Sequence, residues 1–185
     1  MSRSPRIVLA AVIVSLMQIG FVAWMIAGRA AVLNSGTDVT LAVEPIDPRD
    51  LLRGDYVVLS YPISVLTGEM APEGAQRGDT IHVRVAPDAD GVYRPVAASL
   101  GDGIGNPPAE GEVDIRGIVR NATSGRVHAL FGIERFYVPE GEGRGIEENM
   151  RQDRFEVVVA VGEDGSAQIR SLLHDGQAIY SEPIF

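Results

Sequence analysis

Three histidines, His82, His128 and His174, are the chain's only imidazoles, and it contains neither cysteine nor lysine. Without cysteine there is no thiol nucleophile, no disulfide and no Cys-based zinc site. Without lysine there is no amine base and no Schiff-base chemistry. The histidines are spaced widely and form no His-x-x-x-His pair, so each reads as a surface residue. A Ser-His-Asp triad assembles from distant positions, but no Gly-x-Ser-x-Gly elbow selects among Ser60, Ser64 and Ser124. Asp88-Ala89-Asp90-Gly91 begins like a calcium loop, but the ligand spacing stops there and a strand follows. We therefore expect no catalytic residue, no metal and no cofactor. Gly141 to Gly145 (GEGRG) could cradle an anion through backbone N–H groups. Glu140, Glu142, Glu147 and Glu148 around it repel one, which favours an acidic loop or partner-binding lip.

The densest stretch is Pro48 to Tyr61, PRDLLRGDYVVLSY. Asp47 can cap a helical turn with Pro48 in its first position and Asp50 three residues after the cap. Gly54 can end that turn with positive φ, and a strand follows. Val57, Leu59 and Tyr61 then share one strand face, and Tyr56, Val58 and Ser60 the other. A second copy, PEGAQRGDTIHVRV from Pro72, aligns without a gap. Its apolar face is Ile81, Val83 and Val85, and Thr80, His82 and Arg84 take the outer one. One device used twice is folding chemistry first, since Gly and Asp are ordinary turn residues. Tyr56 stands out because it lies on the face away from the core.

Several elements must position these residues. Ile7 to Gly28 carries no charge and is long enough to cross a bilayer core of about 30 Å. Arg3, Arg6 and the α-amino group precede it, and every acidic residue lies after residue 30. The positive-inside rule then places residues 1–6 in the cytoplasm, with 7–28 as the anchor, 29–38 as a linker and 39–185 as one exported, mostly β domain. The uncharged run exceeds a cleavable signal's apolar region of roughly 7–15 residues, so an uncleaved anchor is expected. Beyond residue 30 there are 13 arginines against 25 acids, which argues against nucleic acid as a partner.

Eight β-branched or alternating runs follow: TLAVEP, DYVVLSYPI, DTIHVRVA, VYRPVAA, EVDIRGIVR, RVHALFGIERFYV, RFEVVVAV and SAQIRSLL. Asp90-Gly91, Asp164-Gly165 and Asp175-Gly176 lie between or after such runs and accept the positive φ of tight hairpins. Residues 101–111 read as a loop, and Gly145 to Gln152 as a short helix with Ile146 and Met150 four apart. The expected fold is mainly β, an antiparallel barrel or sandwich of about eight strands after one N-terminal transmembrane helix. Ser181 and Pro183 oppose an outer-membrane barrel, whose last strand would be apolar there.

Gly54-Asp55-Tyr56-Val57-Val58-Leu59-Ser60-Tyr61 resembles the signature of the bacterial GDYXXLXY family. Asp47 to Leu51, Gly91 to Pro95, Gly132 to Gly141 and Glu147-Glu148 are similar to its further motifs. The resemblance covers essentially the whole chain. It implies a membrane-anchored bacterial envelope protein with no assigned activity, and with the charge asymmetry the expected location is the bacterial cytoplasmic membrane, single-pass, with the C-terminal domain in the periplasm. It also implies genes often lying beside those of polytopic membrane proteins, which makes a complex with a polytopic membrane-protein partner plausible. The Arg-Gly-Asp strand entrance is also similar to that of membrane-anchored signal-peptidase-like hydrolases, but those need a lysine base that is absent.

The leading expectation is a non-catalytic envelope module that binds a membrane-protein partner or cell-envelope ligand. The competing ones are a membrane-anchored hydrolase and a sugar or peptide sensor. Residues expected to serve binding are Arg53, Asp55, Tyr56, Glu134, Arg135, Tyr137 and Glu140.

Overall fold

A computed structural model describes residues 5–44, 56–138, 146, 150 and 153–181. It opens with a helix, α1 (Pro5–Ser35), whose large apolar side chains from Ile7 to Ile26 are exposed. This helix is long and apolar enough to cross a membrane. Residues 29–35, expected as linker, are its last turns: Ala30, Ala31 and Leu33 are good helix formers, and no breaker occurs before Gly36.

The strands are β1 (Thr37–Ala42), β2 (Tyr56–Val58), β3 (Val65–Thr67), β4 (Thr80–Pro87), β5 (Tyr93–Leu100) and β6 (Val113–Thr123). They continue as β7 (Arg126–Leu130), β8 (Arg135–Tyr137), β9 (Phe155–Val161), β10 (Ala167–His174) and β11 (Gln177–Ser181). Every pairing is antiparallel, and three sheets result: β1-β9-β10-β11, β2-β8 and β3-β7-β6-β4-β5. The fold is therefore mainly β behind one apolar helix. Each of the eight expected runs holds a strand. The run from Arg126 divides into β7 and β8, while β3 and β11 were not expected.

All three Asp-Gly pairs close hairpins, β4–β5, β9–β10 and β10–β11. At the last, Asp175 and Gly176 have φ of 49° and 77°, the backbone twist that suits a two-residue turn. Of the short helix expected over residues 145–152 only Ile146 and Met150 are described: Met150 N donates to Ile146 O at 2.9 Å, and both side chains are buried.

Alternation fills one buried cluster drawn from all three sheets. Val57, Leu59 and Tyr61 lie in it beside Ile81, Val83 and Val85, the two core faces expected from the repeated device. In the second copy, Asp79 Oδ2 accepts Gln76 N at 2.8 Å and Gly78 has a φ of 96°, so Gly and Asp build the turn. The first copy's Arg53-Gly54-Asp55 lies outside the described residues, as do the turn from Pro48 and the GEGRG loop.

The outer face of the second copy needs a correction at Arg84, which is buried. The register sets Arg84 opposite Asp114 on β6, and Nε and Nη2 donate to its two carboxylate oxygens at 2.7 and 2.8 Å. The loop over residues 101–111 folds across the guanidinium, and Asn106 O accepts from Nη2 at 2.7 Å. A paired and hydrogen-bonded cation tolerates burial that a lone one would not.

Helix and sheet meet without slack. Gly36 N donates to Val32 O at 2.9 Å, and a Cβ at Gly36 would stand 2.6 Å from that oxygen and 3.0 Å from Val161 N and O. Only glycine fits between the last helical turn and β9. Arg170 of β10 donates to Leu33 O and pairs with Asp38, bringing a cation to the helix C-terminus, where the helix dipole favours one.

Candidate functional site

The signature segment forms one wall of an open cleft of about 680 Å³. Val58, Leu59 and Ser60 supply that wall, and Ser64 and Val65 continue it. Glu134 and Arg135 flank it, while Arg120 of β6 and His128 to Leu130 of β7 complete it.

Local chemistry fixes this geometry. The Tyr61 hydroxyl donates to Ile133 O at 2.6 Å in the core, and Leu59 N donates to Glu134 O at 2.9 Å. Burial first, then the nearby Glu134 carboxylate, push the Tyr61 pKa well above its ordinary value, so the ring stays a neutral donor. Glu134 turns its carboxylate onto the loop before it, accepting from Phe131 N and, at 3.0 Å, from Gly132 N. Phe131 sits over Gly117 of β6, where a Cβ would come within 2.8 Å of its ring. The signature strand and residues 131–134 are thus one interlocked unit.

Above that unit lies a mixed surface. Val58 is 40 % exposed and Leu130 39 %, and Ile118, directly opposite Leu130 on β6, is 48 % exposed. Arg120, two positions along β6 from Ile118, is exposed and pairs with no carboxylate among the described residues. Ser64 Oγ is enclosed and has no hydrogen-bond partner among them either.

Of the residues expected to bind, Glu134 and Arg135 line the cleft. Glu134 is occupied with backbone donors, which makes it a loop staple. Tyr137 is exposed on β8, two residues beyond Arg135 and opposite Tyr56 in the register. For Tyr56 only the backbone is described, and Arg53, Asp55 and Glu140 lie outside the described residues. Arg120, His128 and Leu130 were missed. The available signal was Ile118 and Leu130, apolar side chains on otherwise polar strand faces.

The cleft also gathers Ser60, Ser64, His128 and Glu134, the residue types of a hydrolytic triad. No hydrogen bond joins Ser64 to His128, and both Glu134 oxygens are committed to backbone N–H groups. The alignment a nucleophile needs from its base is therefore not made here. His82 and His128 are half-buried, and His174 stacks on Phe155 and meets Asp153 at 3.0 Å. Among the described residues, no three His, Asp or Glu side chains gather to hold a metal ion.

Fold and cleft define a class: an antiparallel β module carried behind an apolar helix of membrane-spanning length, with an open cleft beside β2 and β8. The chain belongs to the GDYXXLXY protein family, whose model matches residues 18–172, from within the helix to β10. No curated protein and no solved structure matches it.

Proposed function

We propose that this protein is a non-catalytic, membrane-anchored module that uses the cleft to bind a membrane-protein partner or a cell-envelope ligand. On this reading residues 1–6 are cytoplasmic, 7–28 cross the inner membrane and 39–185 form one periplasmic domain. One observation carries it. Among its described residues, the family's signature strand is spent on packing at Val57, Leu59 and Tyr61, while Val58 and Ser60 open onto a cleft that exposed Leu130 and Arg120 also line. An arginine set beside exposed apolar side chains on paired strands suits a protein-binding patch, because interface cores are apolar and arginine is enriched there.

Photo-crosslinking in native membranes tests this. A photoreactive residue at Leu130 should capture a defined partner, and one at Val96, exposed on β5 outside the cleft, should not. Equal capture from both positions, or none from Leu130, defeats the reading.

A further inference from the structure

We infer that the cleft takes an acidic, aliphatic segment of a partner protein and seats one of its carboxylates against Arg120. This deepens the binding reading above and rests on it. Five arginines of the β region sit against carboxylates: Arg84 on Asp114, Arg94 on Asp88, Arg116 on Asp164, Arg154 on Glu156 and Arg170 on Asp38. In a chain of net charge −9, an arginine without such a carboxylate keeps its full charge complementarity toward an acidic ligand. Arg77, Arg120 and Arg126 have no carboxylate among the described residues, and of these only Arg120 lines the cleft.

Its neighbours specify the rest of the ligand. The single carboxylate in the cleft wall, Glu134, is turned onto Phe131 N and Gly132 N and does not compensate Arg120. Ile118, Leu130 and Val58 present aliphatic surface alongside, so a seated segment must offer aliphatic side chains too. That surface also excludes water from a guanidinium–carboxylate contact, which strengthens the contact relative to one in bulk solvent. A second copy of this acidic chain and a free small anion are the alternatives the experiment must separate.

The probes are two end-blocked synthetic peptides that alternate leucine or valine with glutamate, or with glutamine in the isosteric control. Binding to the full-length protein in zwitterionic lipid nanodiscs is followed by fluorescence anisotropy. The glutamate peptide should bind saturably, and the glutamine peptide about tenfold more weakly. Arg120→Gln should cost about the same factor, with Arg120→Lys intermediate. Equal affinity for both peptides, no loss in Arg120→Gln, no saturable binding, or full displacement by equimolar inorganic phosphate overturns the inference. So does a Leu130 crosslink that joins two copies of this chain. If Leu130 captures the same partner in wild type and in Arg120→Gln, the acidic-segment inference falls and the binding reading stands. No capture in either removes both.

Discussion

Tyr61 contributes its ring to the core and its hydroxyl to the Ile133 carbonyl, so two segments 72 residues apart are joined by one side chain. Replacing it with phenylalanine leaves that carbonyl buried and unpaired, a loss of about 1–3 kcal/mol. The pH dependence has a definite sign. The unfolded chain releases the tyrosine proton near pH 10, whereas the folded state retains it, because burial and then Glu134 oppose the phenolate. The contribution is therefore complete below about pH 10 and is lost as pH rises through the folded value. Denaturant unfolding of the full-length protein in micelles should show a wild-type midpoint that falls above that pH. In Tyr61→Phe that component of the fall should be absent, and an unchanged slope would refute the assignment. The core role of this residue was legible from alternation alone, since Val57, Leu59 and Tyr61 recur at period two. Its hydroxyl partner was not legible, because no local pattern names a carbonyl on a distant loop.

Between elements, the Arg84–Asp114 pair ties β4 to β6 and holds the 101–111 loop across both. Arg84→Met alone abandons a half-buried carboxylate and should cost about 3–5 kcal/mol. Arg84→Met combined with Asp114→Leu should recover most of that, because a matched apolar pair replaces a matched ionic one. Both doubly and singly substituted proteins lose the hold on Asn106 O, so limited proteolysis within residues 101–111 should rise in each. Urea midpoints of the wild type and the two variants decide the point: equal losses in single and double substitutions would show that the ion pair is not the determinant. At this level the sequence spoke unevenly. Hairpins were written in the Asp-Gly pairs, whose turn chemistry is local. The order β3-β7-β6-β4-β5 was not, since it depends on which distant strands find each other. Arg84 looked solvent-facing for the same reason: its partner lies 30 residues on, and its cover comes from a loop. Arg120 and Leu130 escaped notice because their place beside Ser60 exists only once β7 pairs with β3.

Across the whole molecule, the composition shift after residue 28 announced an apolar helix followed by a β body. It did not reveal how the two are joined. Residues 29–38 were expected as linker, yet helix α1 continues to Ser35 and β1 starts at Thr37, with only Gly36 between them. That single fitted glycine makes the helix an axle. Each residue added to an α-helix turns everything beyond it by about 100° and advances it by about 1.5 Å. If α1 spans the bilayer, the cleft has a compass bearing around the membrane normal, set by the number of residues between anchor and Gly36. Alanines inserted after Gly28 should therefore affect Leu130 crosslinking by phase: two, which swing the domain by roughly 200°, should abolish capture. Seven bring it back to within about 20° at a height gain of about 10 Å, and should restore more capture than two. A steady decline with insert length would mean that the joint does not transmit rotation.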